Sequence, residues 1–492
     1  MSRDFLIVKN FINGRYTDSD SGEIRDMISP ATNERIGEVR FATEGDLAEA
    51  IESAEKGQKI WASKSCAERS VILRKAALLA RERNDELASL EVLDTGKPIQ
   101  EANSVDIHSG ADALDYFASA CAVMKGDYHR FSTAYAQVYR EPLGVVAGIG
   151  AWNYPFQIAC WKSAPALAAG NAMIFKPAEL TPITAGFLAE IYKEAGVPDG
   201  VFNVLQGDGN LGEQLVKSPR IKKISLTGEV GTGQKVFAAG AQTLKQITLE
   251  LGGKSPLIIF DDADLDNAVQ AALLANFYTQ GEICSNGTRV FVHESVMDSF
   301  LDRLLICCEK LTVGDPTHPE TQIGALISAD HCEKVIKYIE TGVREGATVH
   351  FGGKRVRFSG DSKLNQGNFI EPTVLTNCRD DMTHVKEEIF GPVMSVLSFS
   401  DESEVIARAN QTRFGLAAGV FTKDLIRGDR VSRAIDAGIC WVNNYNLTPI
   451  EVPFGGYKMS GLGRENSQEA LNAYTQLKTV YVETGDVDSP YR

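Results

Sequence analysis

The sequence predicts an α/β protein built on parallel sheets, and three observations carry that expectation. From Gly144 onward, short apolar runs alternate with amphipathic stretches: Val145–Ile149 then 161–169, 172–175 then 182–195, 201–205 then 211–217, and 224–226. Runs that are apolar throughout suit strands covered on both faces, as in parallel sheets with helices on either side. After Gly252-Gly253 the alternation resumes with strands at 257–260, 369–375, Val393–Phe399, 419–422 and Ile439–Val442, and helices at 264–279, 295–311, 329–345 and 402–410. Finally, 492 residues with 43% hydrophobic and 23% charged content give a soluble globular chain long enough for two or three cores.

Residues 5–40 carry short alternating runs broken by Asn13-Gly14 and Ser29-Pro30, which predict a hairpin-like start. Two helices follow, 44–61 and 67–95, with apolar residues at three- and four-residue spacing. Arg69, Arg74, Arg81 and Arg83 lie along the second and are expected on a solvated face. A third helix, 104–124, leads into 128–139, an alternating aromatic-rich segment expected to be an edge strand used in assembly. Parallel sheets bind ligands beyond the carboxyl ends of their strands, which singles out Trp152-Asn153, Lys176 to Glu179, and Thr227 to Gly233. The last of these is glycine-rich and opens a helix at 234–241, so it suits either a pyrophosphate or an ordinary turn. Gly252-Gly253 reads as an interdomain hinge. A loop at 454–465, a short helix and a strand, Thr475–Glu483, close the chain.

A formal charge of −15 argues against nucleic-acid and anionic-membrane partners, which require a basic surface. Nine scattered cysteines without a C-x-x-C pair suggest neither a disulfide framework nor a zinc site, and a reducing compartment fits them. The seven histidines never fall at metal-ligand spacing. With no signal-like start and no apolar run of bilayer length, the expectation is a cytoplasmic protein without a catalytic metal.

One cysteine stands apart. Cys284 follows Gly281 and precedes Ser285, Asn286 and Gly287, so a substrate and backbone N–H donors can approach it. A small buried hydrophobe remains the competing reading on that evidence. The segments around Asn153 (Gly150-Ala-Trp-Asn-Tyr-Pro), Glu250 (Leu249-Glu-Leu-Gly-Gly-Lys-Ser) and Phe390 (Glu387-Glu-Ile-Phe-Gly-Pro), with Cys284-Ser-Asn-Gly-Thr-Arg, resemble the NAD(P)-dependent aldehyde dehydrogenase superfamily over essentially the whole chain. Within it the motifs are most similar to the bacterial branch acting on betaine aldehyde.

The resemblance implies an aldehyde dehydrogenase-like fold. It would comprise a Rossmann-like cofactor domain (1–124 and 144–251), an α/β catalytic domain (252–446), a small β oligomerisation domain (125–143 and 470–492) and a return segment bearing a substrate-site loop (447–469). It implies NAD⁺-dependent oxidation of a small cationic aldehyde, betaine aldehyde to the osmoprotectant glycine betaine, through a cysteine thiohemiacetal and a thioester. Other amino- or trimethylammonium aldehydes, a thiol-dependent esterase and a non-enzymatic role are the alternatives. Cys284 would be the nucleophile, Asn153 an oxyanion donor and Glu250 the base. Lys162 and Glu465 would be a relay or a structural ion pair. Lys254 would support the site.

The cofactor residues implied are Gly150, Trp152, Lys176, Glu179, Gly228, Gly233, Leu251, Gly252, Glu388 and Phe390. The acid at 179 favours NAD⁺ over NADP⁺, with NADP⁺ kept as an alternative. Tyr154, Trp161, Tyr278 and Phe454 would form an aromatic box for a trimethylammonium group, each ring contributing about 0.5–2 kcal/mol. Potassium sites are implied near Met27, Ile28, Asp94 and Leu180, and near Lys458 and Gly461. The assembly implied is a homodimer or a dimer of dimers, a homotetramer. Two departures stand out: Glu282 replaces a common Gln, and Glu229 puts a carboxylate in the pyrophosphate loop, where it is expected to point to solvent.

Overall fold

A computed structural model describes residues 5–19 and 22–491; positions 1–4, 20–21 and 492 of the predicted units lie outside the described residues. Its first large sheet has eight strands, in spatial order Gly461–Leu462, Gln246–Glu250, Lys223–Thr227, Val145–Ile149, Ala172–Lys176, Phe202–Val204, Asn10–Ile12 and Arg15–Thr17. The five from Gln246–Glu250 to Phe202–Val204 run parallel. All five residues of Val145–Ile149 and of Ala172–Lys176 are buried, as their unbroken apolar patterns require. Successive strands are laid to one side of Val145–Ile149 and then to the other, so the crevice opens at the carboxyl ends beside it. The register brings Ile149 opposite Lys176 and Thr227 opposite Glu250, which puts Gly150, Lys176, Gly228 and Glu250 on one rim.

A second sheet of seven strands has the order Thr348–Phe351, Thr373–Thr376, Val393–Phe399, Arg289–His293, Pro256–Ile259, Ala417–Phe421 and Ile439–Val442. Every neighbouring pair but the first is parallel. Here the site lies at the opposite end of the strands. Cys284 lies before the amino end of the central strand Arg289–His293, and that end faces the carboxyl rim of the first sheet.

The assembly segment is a hairpin, Asp127–Arg130 with Ala134–Pro142, closed where Phe131 N–H reaches Ala134 O, rather than one strand over 128–139. Thr475–Glu483 pairs along all its length with the chain's own Ala134–Pro142, and its other edge is open among the described residues. Two further elements differ from expectation. The predicted helix 67–95 is two, Cys66–Glu82 and Asn84–Thr95, because Arg83 leaves helical geometry (φ −96°, ψ 16°). Arg69, expected in solvent, is 5% exposed.

Gly252-Gly253 turns out to be a seat rather than a free joint. A Cβ on Gly252 would fall 1.8 Å from Glu388 Oε2, and one on Gly253 would fall 2.7 Å from the Cys284 carbonyl oxygen. Only glycines let a carboxylate from one side and the nucleophile's backbone from the other approach the same link.

Candidate active site

The two rims enclose a cavity of about 370 Å³ whose walls include Cys284, Glu250, Asn153, Lys162 and Glu465 together with Tyr154, Trp161, Tyr278 and Phe454. Residues separated by up to 312 positions in the chain (153 to 465) thus converge on one space.

Cys284 reaches it on a turn held under strain. The helix Leu265–Phe277 gives way at Tyr278, and Thr279 and Gln280 follow at φ 50° and 42°. A β-branched threonine is seldom found there. Glu101 holds it in place: its carboxylate accepts from Thr279 N at 3.0 Å and from Thr279 Oγ1 at 3.0 Å. Burial pushes the Cys284 thiol up to about 12, and the Glu388 and Glu250 carboxylates add to the shift. Its own N–H and that of Ser285 oppose the shift by hydrogen bonding toward the sulfur. Asn153 gives one amide hydrogen to Glu282 O at 3.0 Å, which fixes the group and leaves its second hydrogen toward the cavity.

Glu250 ends its strand 4% exposed, and among the described residues neither carboxylate oxygen has a partner within hydrogen-bond geometry. Burial raises its pKa well above the ordinary carboxylate value; repulsion from Glu465 adds to this, and Lys162 and Arg464 counter it. Its room comes from Gly455 (φ 151°), where a Cβ would come within 2.7 Å of Glu250 Oε1. Lys162 and Glu465 form a buried pair, Nζ to Oε1 2.8 Å, and Ser225 Oγ bridges them, 3.0 Å from Lys162 Nζ and 2.7 Å from Glu465 Oε1. Lys223, with Nζ donating to Thr248 Oγ1 at 2.6 Å, feels the charges of this pair through space, and burial lowers its ammonium to about 8.

A second group of side chains lines the rim beyond Glu250. Lys176 is 3% exposed at its strand end, with Nζ donating to Pro177 O at 2.9 Å and lying 3.7 Å from the half-exposed Glu179. Gly150 N–H donates to Lys176 O at 2.9 Å. Glu388 Oε1 accepts from Gly253 N at 3.0 Å, and burial pushes its carboxyl up to about 7. Phe390, at φ 61°, stands edge-on to Trp152 with 5.2 Å between ring centroids. The glycine loop opens the helix Val230–Ala241 without a side-chain cap, so its first-turn N–H groups are free for an anion. A Cβ on Gly228 would meet only Leu226, at 3.8 Å. Gly233 N–H is engaged by Glu229 O at 3.0 Å, and its missing Cβ makes room for Leu251, 2.7 Å away. Glu229 is exposed, with Oε1 3.4 Å from Thr232 Oγ1 on its own helix. A deep lysine, an acid beside it, uncapped N–H groups and a seated carboxylate together fit a dinucleotide.

The four rings wall the cavity side by side. Trp161 and Phe454 meet edge to face at 5.8 Å, and Trp161 Nε1 donates to Ser109 Oγ at 3.1 Å. Tyr154 OH lies 2.8 Å from Thr279 Oγ1, and its ring carries the Lys97 ammonium 3.7 Å from the centroid. Lys97 is fully buried and paired with Asp106, which a π-turn over Ala102–Asp106 delivers. Glu91 and Glu101 beside them are pushed up to about 8 by burial. Tyr445, with OH donating to Ser285 O at 2.9 Å, completes the wall.

Several participants carry no sequence signal. Lys97, Glu101 and Asp106 look like surface helix charges until burial is known. His331 lies with Nε2 2.7 Å from Phe390 O and 3.7 Å from Glu282 Oε1, which links the nucleotide rim to the nucleophile's loop. Glu282 is buried; its carboxyl accepts from Ile327 N at 3.0 Å and from Gln280 Nε2 at 3.1 Å. Cys440 is not among the cavity residues. Of the residues implied for cations, Asp94 is buried and accepts Ile183 N–H at 3.0 Å, Met27 is buried, and Ile28 and Leu180 are exposed. Lys458 and Gly461 sit on the short strands of the return loop.

A sequence profile of the aldehyde dehydrogenase family matches residues 16–480. The betaine aldehyde dehydrogenase of Vibrio vulnificus (strain YJ016) is 57% identical over 486 residues, 99% of each chain. Among solved structures, the NAD⁺ complex of an aldehyde dehydrogenase from Bacillus cereus superposes with a TM-score of 0.94 at 40% identity, covering 98% of this chain and 97% of that one. A betaine aldehyde dehydrogenase point mutant from Staphylococcus aureus, in complex with NAD⁺, gives 0.94 at 36% identity over 98% and 99%.

Proposed function

The chain belongs to the aldehyde dehydrogenase family, and on that premise we propose that it oxidises betaine aldehyde to glycine betaine with NAD⁺. The observation that carries the reading is the single cavity shared by Cys284, Glu250, Asn153 and four aromatic rings.

The Cys284 sulfur adds to the aldehyde carbon, and its proton passes to a basic group lining the cavity. The oxyanion that forms is stabilised by the free Asn153 amide hydrogen and by the Cys284 N–H. Lys176 and Glu179 would hold the adenosine ribose, the first turn of Val230–Ala241 the pyrophosphate, and Glu388 and Phe390 the nicotinamide ribose. Bound there, NAD⁺ supplies the two-electron oxidant. Glu250 then takes a proton from the water that cleaves the thioester on Cys284, and returns it toward Lys162 and Glu465. A carboxylate at 179 accepts ribose hydroxyls and repels a 2′-phosphate, which supports NAD⁺ over NADP⁺. Changing Gly252 to alanine places a methyl group on Glu388, so KM for NAD⁺ should rise roughly tenfold or more in steady-state assays. An unchanged KM would remove Glu388 from the cofactor's contacts.

The trimethylammonium assignment is tested with 3,3-dimethylbutanal, in which carbon replaces the charged nitrogen at nearly constant shape. Cation–π attraction to the rings should give betaine aldehyde the higher kcat/KM. Trp161→Ala should cost the cationic aldehyde roughly 3- to 30-fold more than its neutral isostere, the ratio that 0.5–2 kcal/mol sets. Equal losses would make the box a mere shape.

We further propose a cytoplasmic homodimer or dimer of dimers. The open edge of Thr475–Glu483, with Leu477, Val480 and Tyr481 exposed, supports the assembly. No helix among the described residues is long and apolar enough to cross a membrane. Potassium is proposed at the carbonyls near Asp94, whose side chain accepts from Ile183 N, and at those near Gly461.

A further inference from the structure

Arg69 is buried without a carboxylate. Its guanidinium donates from Nε to Ala168 O at 3.1 Å, from Nη1 to Lys64 O at 2.5 Å and from Nη2 to Cys66 Sγ at 3.3 Å. Among the described residues it has no ion pair, and the nearby acid Glu68 is engaged in capping its helix, accepting from Ser65 N at 2.7 Å. A guanidinium keeps its charge, and a buried charge requires a counter-charge. The Glu68 carboxylate acts on it through space, and the sulfur of Cys66 is the ionisable group that the guanidinium itself touches. Cys66 occupies the first position of the seventeen-residue helix Cys66–Glu82, where the helix dipole also favours an anion. The second thiol is close at hand. Cys121, on Ile107–Ala122, lies with Sγ 3.3 Å from Cys66 O. Cys66 is half-buried and within reach of a small reagent; Cys121 is buried.

We propose that Cys66 is a redox-active thiolate, separate from the catalytic cavity, that reacts with hydroperoxides and is resolved by Cys121 to a Cys66–Cys121 disulfide. In the first step the Cys66 sulfur attacks one peroxide oxygen. An S–O bond forms, the O–O bond breaks, and the leaving hydroxide or alkoxide takes up a proton. In the second, the Cys121 sulfur attacks the sulfenic sulfur. An S–S bond forms, the S–O bond breaks, and water leaves with the Cys121 proton. Two electrons pass from the sulfurs to the peroxide, which becomes water, or water and an alcohol. The hydrogen bond from Cys121, followed by the charge of Arg69, draws the Cys66 thiol down to about 6 against the effect of burial, whereas the Cys121 thiol is raised.

The test uses full-length Cys284→Ala protein, so that the catalytic thiol does not consume oxidant. After hydrogen peroxide treatment and alkylation of the remaining thiols, peptide mass mapping should find a Cys66–Cys121 cross-link that a dithiol reductant removes. Adding Cys121→Ser should stop the reaction at sulfenic acid, captured on Cys66 by dimedone; adding Cys66→Ser should leave Cys121 a free thiol. Without any further substitution, Cys66 should alkylate at pH 7 at least tenfold faster than the partly exposed Cys307. Both thiols recovered free after peroxide, or Cys66 alkylating no faster than Cys307, would overturn the proposal.

Discussion

Replacing Cys284 with alanine is expected to lower kcat/KM for aldehyde oxidation by roughly 10⁴-fold or more. The variant keeps Asn153 on Glu282 O, Glu388 on Gly253 and the rings around the cavity, so the aldehyde can still be held. It loses the sulfur that turns a carbonyl, which has no hydride to give, into a tetrahedral carbon that has one. Binding of NAD⁺ followed by calorimetry should stay within about twofold, which separates loss of chemistry from loss of fold. The resting thiol makes a second prediction from the same residue. With the Cys284 thiol pushed up to about 12 by burial, its alkylation rate in the cofactor-free protein should rise about tenfold per pH unit from 7 to 11. A plateau below pH 8 would show that some group in the free protein already ionises it, and a Cys284→Ala protein with a hundredth of normal activity would remove the sulfur from the mechanism.

What could be read in the chain, and what could not, divides along a physical line. The strands were legible because their burial is written in their own residues: Val145–Ile149 is apolar from end to end and is buried from end to end. Cys284 stood out by its small and polar neighbours, with a buried hydrophobe as the rival reading, whereas Asn153 and Glu250, set between Trp and Tyr and between two leucines, were marked by the likeness of their motifs to the family. Buried charges gave no such sign. Lys97 and Asp106 are ordinary helix-surface residue types, and they are buried only because each finds the other across a π-turn that no periodicity predicts. Arg69 was assigned to solvent by its type, yet the carbonyl that fixes its Nε belongs to Ala168, ninety-nine residues away. Glycines hid a packing role in a related way. Gly233, in a phosphate-loop pattern, also makes room for Leu251, and Gly252, in a hinge-like pattern, also seats Glu388. In each case a distant side chain decides what the missing Cβ is for.

Changing Glu250 to glutamine should separate the two halves of the reaction. The replacement matches the glutamate in size within a site where neither oxygen meets hydrogen-bond geometry among the described residues, so the fold has little to lose. Acylation of Cys284 is expected to proceed once in each subunit, giving a burst of NADH equal to the active-site concentration. The steady rate behind it should fall by about 10²- to 10⁴-fold, the range for removal of a general base. The pH profile follows from the direction of the shift. Burial and the Glu465 charge raise the Glu250 pKa well above the ordinary carboxylate value, so the group gives up its proton at higher pH than an ordinary carboxyl does. Only the ionised form can take a proton from water. Thioester hydrolysis by the unmodified enzyme should therefore accelerate with rising pH until Glu250 is fully ionised, and that limb should vanish in Glu250→Gln. Single-turnover formation and decay of the acylated Cys284 protein, followed by intact-mass measurement across pH, reads both effects together. A variant that retains the limb would transfer the base role to another group on the cavity wall, with Glu465, 2.8 Å from Lys162 Nζ, the first to examine.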